Sequence, residues 1–190
     1  MSKLDIMIVG VGGQGTLLAS RIIGNVALRM GNDVKVSEVH GMSQRGGSVV
    51  TYVKMGEKVN SPLIEEGEAD VILAFEELEA LRWHKFLKNG GKMIINRQKI
   101  TPMPVIIGNA KYPEEAIEKI KAAGTDVIAL DALKLARESG NIKAVNVVLL
   151  GVLAKKTGID KNIWLDSIKE NVPQKFLDIN LKAFEAGYNH

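Results

Sequence analysis

Hydrophobic positions along the chain fall into two recurring patterns. Some form short unbroken apolar runs that stop near glycine, and others return every three or four residues. Residues 4–9 read as a run of the first kind, apolar at every position but Asp5, as expected of a strand buried on both faces of a parallel sheet. Leu18, Ile22, Val26 and Met30 then line one stripe while Arg21, Asn25 and Arg29 line another. That spacing predicts an amphipathic helix closed by Gly31. Residues 34–39 and 48–54 read as two further strands, the latter rich in β-branched residues. Residues 70–75 read as a fourth, followed by Glu76 and Glu77, which suit the first turn of a helix. Gly90 and Gly91 introduce a strand over 92–96, and Pro102 and Pro104 bracket a turn before Val105-Ile106-Ile107. Pro113 is placed to open a helix that ends at Gly124, because its missing N–H costs nothing there. Residues 126–130 form a strand, and Asp131 is placed to cap the next helix. From Asn141 onward the pattern is helical: 144–156 up to Gly158, 160–171 up to Pro173, and a last helix carrying Phe176, Ile179, Ala183 and Phe184.

Strands alternating with helices imply an α/β fold with a mainly parallel sheet flanked by helices and a helical C-terminal tail over one face or end. No repeat, low-complexity run or Pro/Gly/Ser linker divides the sequence, so residues 1–190 read as a single domain. Composition narrows the function classes. The net charge is +3, from 25 basic and 22 acidic residues, with no basic stripe, which argues against a nucleic-acid partner. The stretch 144–154 is the most apolar, yet it contains Asn146 and is too short to span a bilayer, so it reads as a buried helix and no membrane partner is expected. The chain contains no cysteine. Disulfides and thiolate ligation of an iron–sulfur cluster by this chain are excluded. With no apolar signal segment at the start, a cytoplasmic location is expected. The three histidines, His40, His84 and His190, show no metal-ligand spacing.

Two glycine-rich connections carry the candidate chemistry. The first is Gly10-Val11-Gly12-Gly13-Gln14-Gly15, which has the G-x-G-x-x-G spacing between a strand and a helix. Glycines there permit a tight turn and bring backbone N–H groups to a phosphate at a helix N-terminus, as in Rossmann-like dinucleotide sites. Three readings remain: binding of NAD or FAD, contact with some other phosphate, or close packing of helix, strand or a neighbouring subunit. Glu38 lies near the end of the second strand, where a ribose-binding acid is wanted. The second connection is Ser37-Glu38-Val39-His40-Gly41-Met42-Ser43-Gln44-Arg45-Gly46-Gly47-Ser48. It gathers an acid, an imidazole, an amide, a guanidinium and three glycines, a density typical of a site or an interface. A self-sufficient nucleotide-binding enzyme of Rossmann type and a purely structural assembly module are both compatible with these residues.

Taken in this order, the two motifs resemble the gamma-type domain of the 2-oxoacid:ferredoxin oxidoreductases. The form His-Gly-Met-Ser-Gln-Arg-Gly-Gly is most similar to the small (beta) subunits of the indolepyruvate branch, whereas pyruvate-type gamma subunits share the Arg-Gly-Gly core but generally lack the preceding His-Gly-Met. The resemblance extends through Asn60-Ser61-Pro62-Leu63-Ile64, Glu68-Ala69-Asp70, Gly90-Gly91 and residues 141–151. It implies a subunit, inactive alone, of a complex that oxidatively decarboxylates an arylpyruvate such as indolepyruvate to an acyl-CoA and passes electrons to ferredoxin; a gamma subunit acting on pyruvate or another 2-oxoacid is the neighbouring alternative. Thiamine diphosphate, Mg2+ and 4Fe-4S clusters are implied for the large (alpha) subunit, since this chain lacks cysteine and a Gly-Asp-Gly diphosphate motif. No cofactor is expected on this chain alone and no catalytic residue is assigned to it. Coenzyme A enters as a substrate of the complex. The residues expected to meet a coenzyme A phosphate or the large subunit are Gly10, Gly12, Gly13, Gln14, Gly15, His40, Gln44, Arg45, Gly46 and Gly47.

Overall fold

The structure is a computed structural model that describes residues 3–40 and 47–190. Its strands are β1 (Leu4–Val11), β2 (Asp33–His40), β3 (Ser48–Gly56), β4 (Ala69–Ala74), β5 (Leu87–Asn96) and β6 (Asp126–Leu130). They form one sheet in the order β2-β3-β1-β4-β5-β6. The pairs β1–β4, β4–β5 and β5–β6 are parallel, while β3 is antiparallel to both β1 and β2. The reason lies in the connections. Seven residues join β2 to β3, too few for the crossover that a parallel pair needs, so the chain folds straight back. The expected α/β architecture with a mainly parallel sheet is therefore present, with β3 as its one reversed strand among those described.

Successive residues of β1 serve opposite faces, as the pleat dictates. Ile6 and Ile8 join a core with α1 (Thr16–Arg29), α5 (Ala132–Glu138), α6 (Val145–Thr157), α7 (Lys161–Asn171) and α8 (Leu177–Tyr188). Met7 and Val9 join a second core with α2 (Glu77–Trp83) and α4 (Ala116–Ala122). The helical tail thus covers one face together with α1. Among the described residues no helix is long and apolar enough to cross a membrane.

Helix α6 is buried over residues 145–154, which explains its lack of a polar stripe. It packs on α8 at backbone contact. A Cβ on Gly151 would lie 2.2 Å from Phe184 O, and one on Gly187 would lie 1.9 Å from Val148 O. Each glycine thus makes room for the other helix's main chain.

Several boundaries differ from the sequence reading. Strand β1 continues through Gly10 to Val11, because β3 pairs with it up to Ser48. Strand β5 begins at Leu87 rather than 92, with an irregularity in its pairing to β4. Gly90 and Gly91 lie inside the strand; at Gly91 a Cβ would meet the Leu87 side chain at 2.9 Å and Asp70 O at 3.0 Å. The turn after Pro102 contains a one-turn helix, α3 (Met103–Ile106). Pro113 does not open a helix: α4 starts at Ala116. Just before Pro113, Tyr112 is tied to the Glu76 carboxylate, a long-range bond no local pattern encodes. Asp131 caps α5 by accepting from Lys134 N at 2.8 Å, as expected. Phe176 ends a 3-10 turn ahead of α8 instead of lying within it.

The same substitution should have opposite effects at two helical glycines. Gly187→Ala forces a methyl into the α6 main chain and should cost at least about 1–3 kcal/mol, the usual range for overpacking. Gly24→Ala, in α1, meets nothing closer than Val36 at 4.0 Å, and should stabilise by up to about 1 kcal/mol through helix propensity. Urea unfolding of both variants checks the signs.

Candidate functional site

Strands β1 and β4 are neighbours whose following helices leave to opposite faces, α1 to one and α2 to the other. At such a point a crevice opens beyond the carboxyl ends of the strands. The first glycine segment lies there. Gln14 N donates to Val11 O at 3.2 Å and closes the turn. Gly15 precedes α1 with φ 83°, a left-handed conformation suited to glycine, and no side chain caps the helix. A Cβ at Gly15 would also lie 2.8 Å from Asn146 Nδ2, and one at Gly10 would lie 2.8 Å from Gln14 Oε1 and 3.0 Å from Phe75 Cβ. Gly10 and Gly15 therefore serve close packing within the chain.

Side-chain amides stitch the strand ends together. Gln14 Oε1 accepts from Val11 N at 2.7 Å, and Gln14 Nε2 donates to Phe75 O at 3.0 Å and Gln98 Oε1 at 3.2 Å. Asn96, fully buried at the end of β5, donates to Phe75 O and to Gln98 Oε1, each at 3.1 Å, and accepts from Ala132 N at 3.1 Å. Buried Asn146 of α6 donates to Gly15 O at 3.2 Å. Beside this network a cleft of about 510 Å³ runs from Gly13 and Gly15 to the start of α6, walled by Leu18, Leu133, Ile142 and Val145, with Gln98 and Lys143 among its polar groups. Leu17, Ile142 and Phe176 stand exposed around this end of the molecule.

The two glycine segments meet here. Gly12 N donates to Gly47 O at 3.0 Å. The next residue, Ser48, gives its hydroxyl to the buried Glu79 carboxylate, which also accepts from Trp83 Nε1 at 3.2 Å. Of the residues expected at the site, Gly10, Gly12, Gly13, Gln14, Gly15 and Gly47 come together. His40 ends β2 opposite Val49. Gln44, Arg45 and Gly46 lie outside the described residues.

The ribose-binding acid of a dinucleotide site is not met by Glu38. Strand β3 stands between β2 and β1, so Glu38 does not sit on a strand beside the first loop, and its carboxylate accepts from Thr51 Oγ1 at 2.9 Å. His84 bonds Thr125 Oγ1 at 2.6 Å, a structural role. No group of three or more His, Cys, Asp or Glu able to hold a metal ion occurs among the described residues. Asn96, Gln98, Asn146, Glu76 and Glu79 were not singled out as site residues in the sequence. The available signal was polar residues embedded in or ending apolar runs, as at Asn96 and Asn146.

A buried acidic group lies at the edge of this region. Glu76 caps α2 by accepting from Glu79 N at 2.9 Å, and its other oxygen accepts from Ile100 N at 3.0 Å and from the Tyr112 hydroxyl. Burial, then the bond to Glu76, pushes the Tyr112 hydroxyl far above the usual phenol range. Burial also raises the Glu77 carboxyl, against the opposing pull of Lys99 and Arg97. A carboxyl raised in the folded state favours folding while protonated and loses that advantage as pH rises through its folded value. Glu77→Gln should therefore melt higher than wild type at pH 7–8, and the difference should vanish below the ordinary glutamate range, about pH 4. Thermal melts across pH 3.5–8 check this; a gap independent of pH would assign it to something other than ionisation.

The family model for pyruvate ferredoxin/flavodoxin oxidoreductase matches residues 5–190. The chain is 46% identical to the indolepyruvate oxidoreductase subunit IorB of Thermococcus kodakarensis, covering 98% of this chain and 95% of the relative. It is 44% identical to the protein of the same name from Pyrococcus horikoshii, over 98% of this chain and 95% of that one. Among solved structures, the pyruvate oxidoreductase subunit PORC of Thermotoga maritima superposes with a TM-score of 0.77 at 21% identity, covering 100% of this chain and 97% of that chain. This last likeness speaks to the fold. On the family match and the near-full-length identities, the chain belongs to the pyruvate ferredoxin/flavodoxin oxidoreductase family.

Proposed function

We propose that the chain, acting as one gamma-type domain over residues 1–190, is the small subunit of a cytoplasmic complex that oxidatively decarboxylates arylpyruvates, with indolepyruvate as the type substrate. The single observation that carries this reading is its similarity along almost its whole length to relatives named as indolepyruvate oxidoreductase subunits. In the overall reaction the carboxylate leaves as CO2, the remaining acyl group is joined to the sulfur of coenzyme A, and two electrons pass to ferredoxin. Thiamine diphosphate, Mg2+ and 4Fe-4S clusters are assigned to the large subunit. The residues of this chain do not fit them: it has no cysteine, and its described residues hold no acid or histidine cluster that could bind a metal.

This chain's part is to complete the assembly and to help hold coenzyme A. The α1 N-terminus, with no side-chain cap on its free N–H groups, suits a phosphate. Gly12 N donates to Gly47 O, and Gly47 ends the segment that carries His40, Gln44, Arg45 and Gly46, which supports a role for that segment at the same end of the sheet. Arg45 offers a planar fork for a coenzyme A phosphate or an acidic group on the large subunit, a geometry lysine does not copy.

Co-expression with the cysteine-rich large subunit should yield a complex that turns over indolepyruvate and phenylpyruvate far better than pyruvate. A complex that prefers pyruvate would move the chain to the neighbouring branch. Within the active complex, Arg45→Lys and Arg45→Ala should each cost roughly ten- to a hundredfold, the loss of a charge-assisted hydrogen bond. A raised KM for coenzyme A with intact assembly assigns Arg45 to the substrate, and weaker subunit affinity with normal KM assigns it to the interface. Wild-type values in both would remove Arg45 from the site.

A further inference from the structure

Residues 100–112 form a loop beyond the end of β5, and one carboxylate closes its neck. Glu76 Oε1 accepts from Ile100 N at 3.0 Å and from the Tyr112 hydroxyl. Lys99, just outside the neck, donates to Glu114 O at 3.4 Å and lies 5.8 Å from the centre of the Tyr112 ring. Inside the loop the main chain satisfies itself. Around α3, Ile106 N donates to Pro102 O at 3.1 Å and Ile107 N to Met103 O at 3.0 Å, while Pro104 O accepts from Asn109 N at 2.8 Å and Ala110 N at 3.0 Å. A loop tied at its neck and bonded within itself is a fixed lobe.

Its side chains are not satisfied in the same way. Met103, Ile106 and Ile107 are 67%, 64% and 61% exposed. Apolar residues scattered singly over a surface need no explanation, but three on one preformed lobe do. The charge around them has one sign: residues 97–113 contain Arg97, Lys99 and Lys111 and no acid, and all three cations are exposed. The lobe leaves the sheet two residues after Gln98, whose carbonyl accepts from Glu77 N at 3.0 Å. It therefore stands at the carboxyl ends of β4 and β5, the end that holds the candidate site.

We propose that this lobe is a docking element: Met103, Ile106 and Ile107 seat in an apolar recess of the large subunit whose rim carries carboxylates facing Arg97, Lys99 and Lys111. The inference rests on the reading above that the chain is a small subunit. On that reading the reacting groups belong to the large subunit, which must approach this end of the sheet, and a contact on the lobe brings it there. Charge selects the same occupant. A second copy docked lobe to lobe would set the same three cations against one another, which is repulsive, whereas an acidic rim complements them. The closed neck also means that little order is lost on docking.

Reconstitution of the complex from full-length chains tests this, with subunit affinity and association rate as readouts. The double variant Ile106→Ser, Ile107→Ser should melt as wild type does and weaken subunit affinity about tenfold or more. Leu28→Ser is the control: it removes an equally exposed apolar side chain from α1 and should leave affinity within about twofold. Lys111→Glu should slow association, by an amount that shrinks as salt is raised. Should the double variant not fold, Met103→Ser carries the same test on the same lobe. Wild-type subunit affinity in folded lobe variants overturns the proposal, also where they lose only electron delivery to the acceptor or only self-association. An equal loss in Leu28→Ser, or faster association of Lys111→Glu, overturns it as well. Arylpyruvate turnover by the wild-type complex is read separately: a complex that assembles through the lobe but is inert would sink the functional reading alone, and an active complex indifferent to the lobe variants would sink the docking alone.

Discussion

Where β1, β4 and β5 end side by side, the hydrogen-bond ladder of the sheet stops and leaves main-chain groups in need of partners. The carbonyl of Phe75, just past β4, is the central one. It is met by two side-chain amides, Gln14 from the turn after β1 and Asn96 from the end of β5, at 3.0 and 3.1 Å. A buried polar group left unpaired costs about 1–3 kcal/mol, so this point constrains everything around it. The turn of the first glycine segment, the end of β5 and, through Ala132 N, the start of α5 are all set by that one requirement.

The candidate site inherits its geometry from this anchor. Because Gln14 holds Val11 N, β1 keeps its strand form through Val11 and remains in register with Ser48 of β3. Gly12 N then reaches Gly47 O, and two segments separated by more than thirty residues become one surface. On its far side Ser48 is held by Glu79 of α2, so both faces of the sheet contribute to placing the junction. Helix α6 closes the remaining side through Asn146, its buried polar residue, which touches the Gly15 carbonyl.

The C-terminal helices act on the site through rigidity. Gly151 and Gly187 let α6 and α8 meet at main-chain contact, and Trp164, Phe184 and Ile168 fill the space between helices on that face. Close-packed interiors transmit displacement instead of absorbing it. The wall of the cleft formed by Ile142 and Val145 is therefore held by the packing of helices whose own surfaces lie well away from it.

Most strands and helices could be read in the sequence because apolar period and glycine or proline punctuation are local signals. The runs of β1, β4 and β6 and the cap at Asp131 are examples. The two glycine motifs are local signals of the same kind, and the meeting of Gly12 N with Gly47 O is not. What only the tertiary structure decided is which segments become neighbours: β3 inserted between β2 and β1, which removes Glu38 from a dinucleotide role, and the relay from Val11 through Gln14 to Gln98 and Asn96. The helix read from Pro113 failed for the same reason, since Tyr112 is held by Glu76 from another element. Periodicity reports whether a residue faces a core. It carries no information on which polar group, 61 or 84 residues away as for the partners of Gln14, will meet it there, because that depends on strand order and the ends of strands, and those are settled only when the whole sheet has formed.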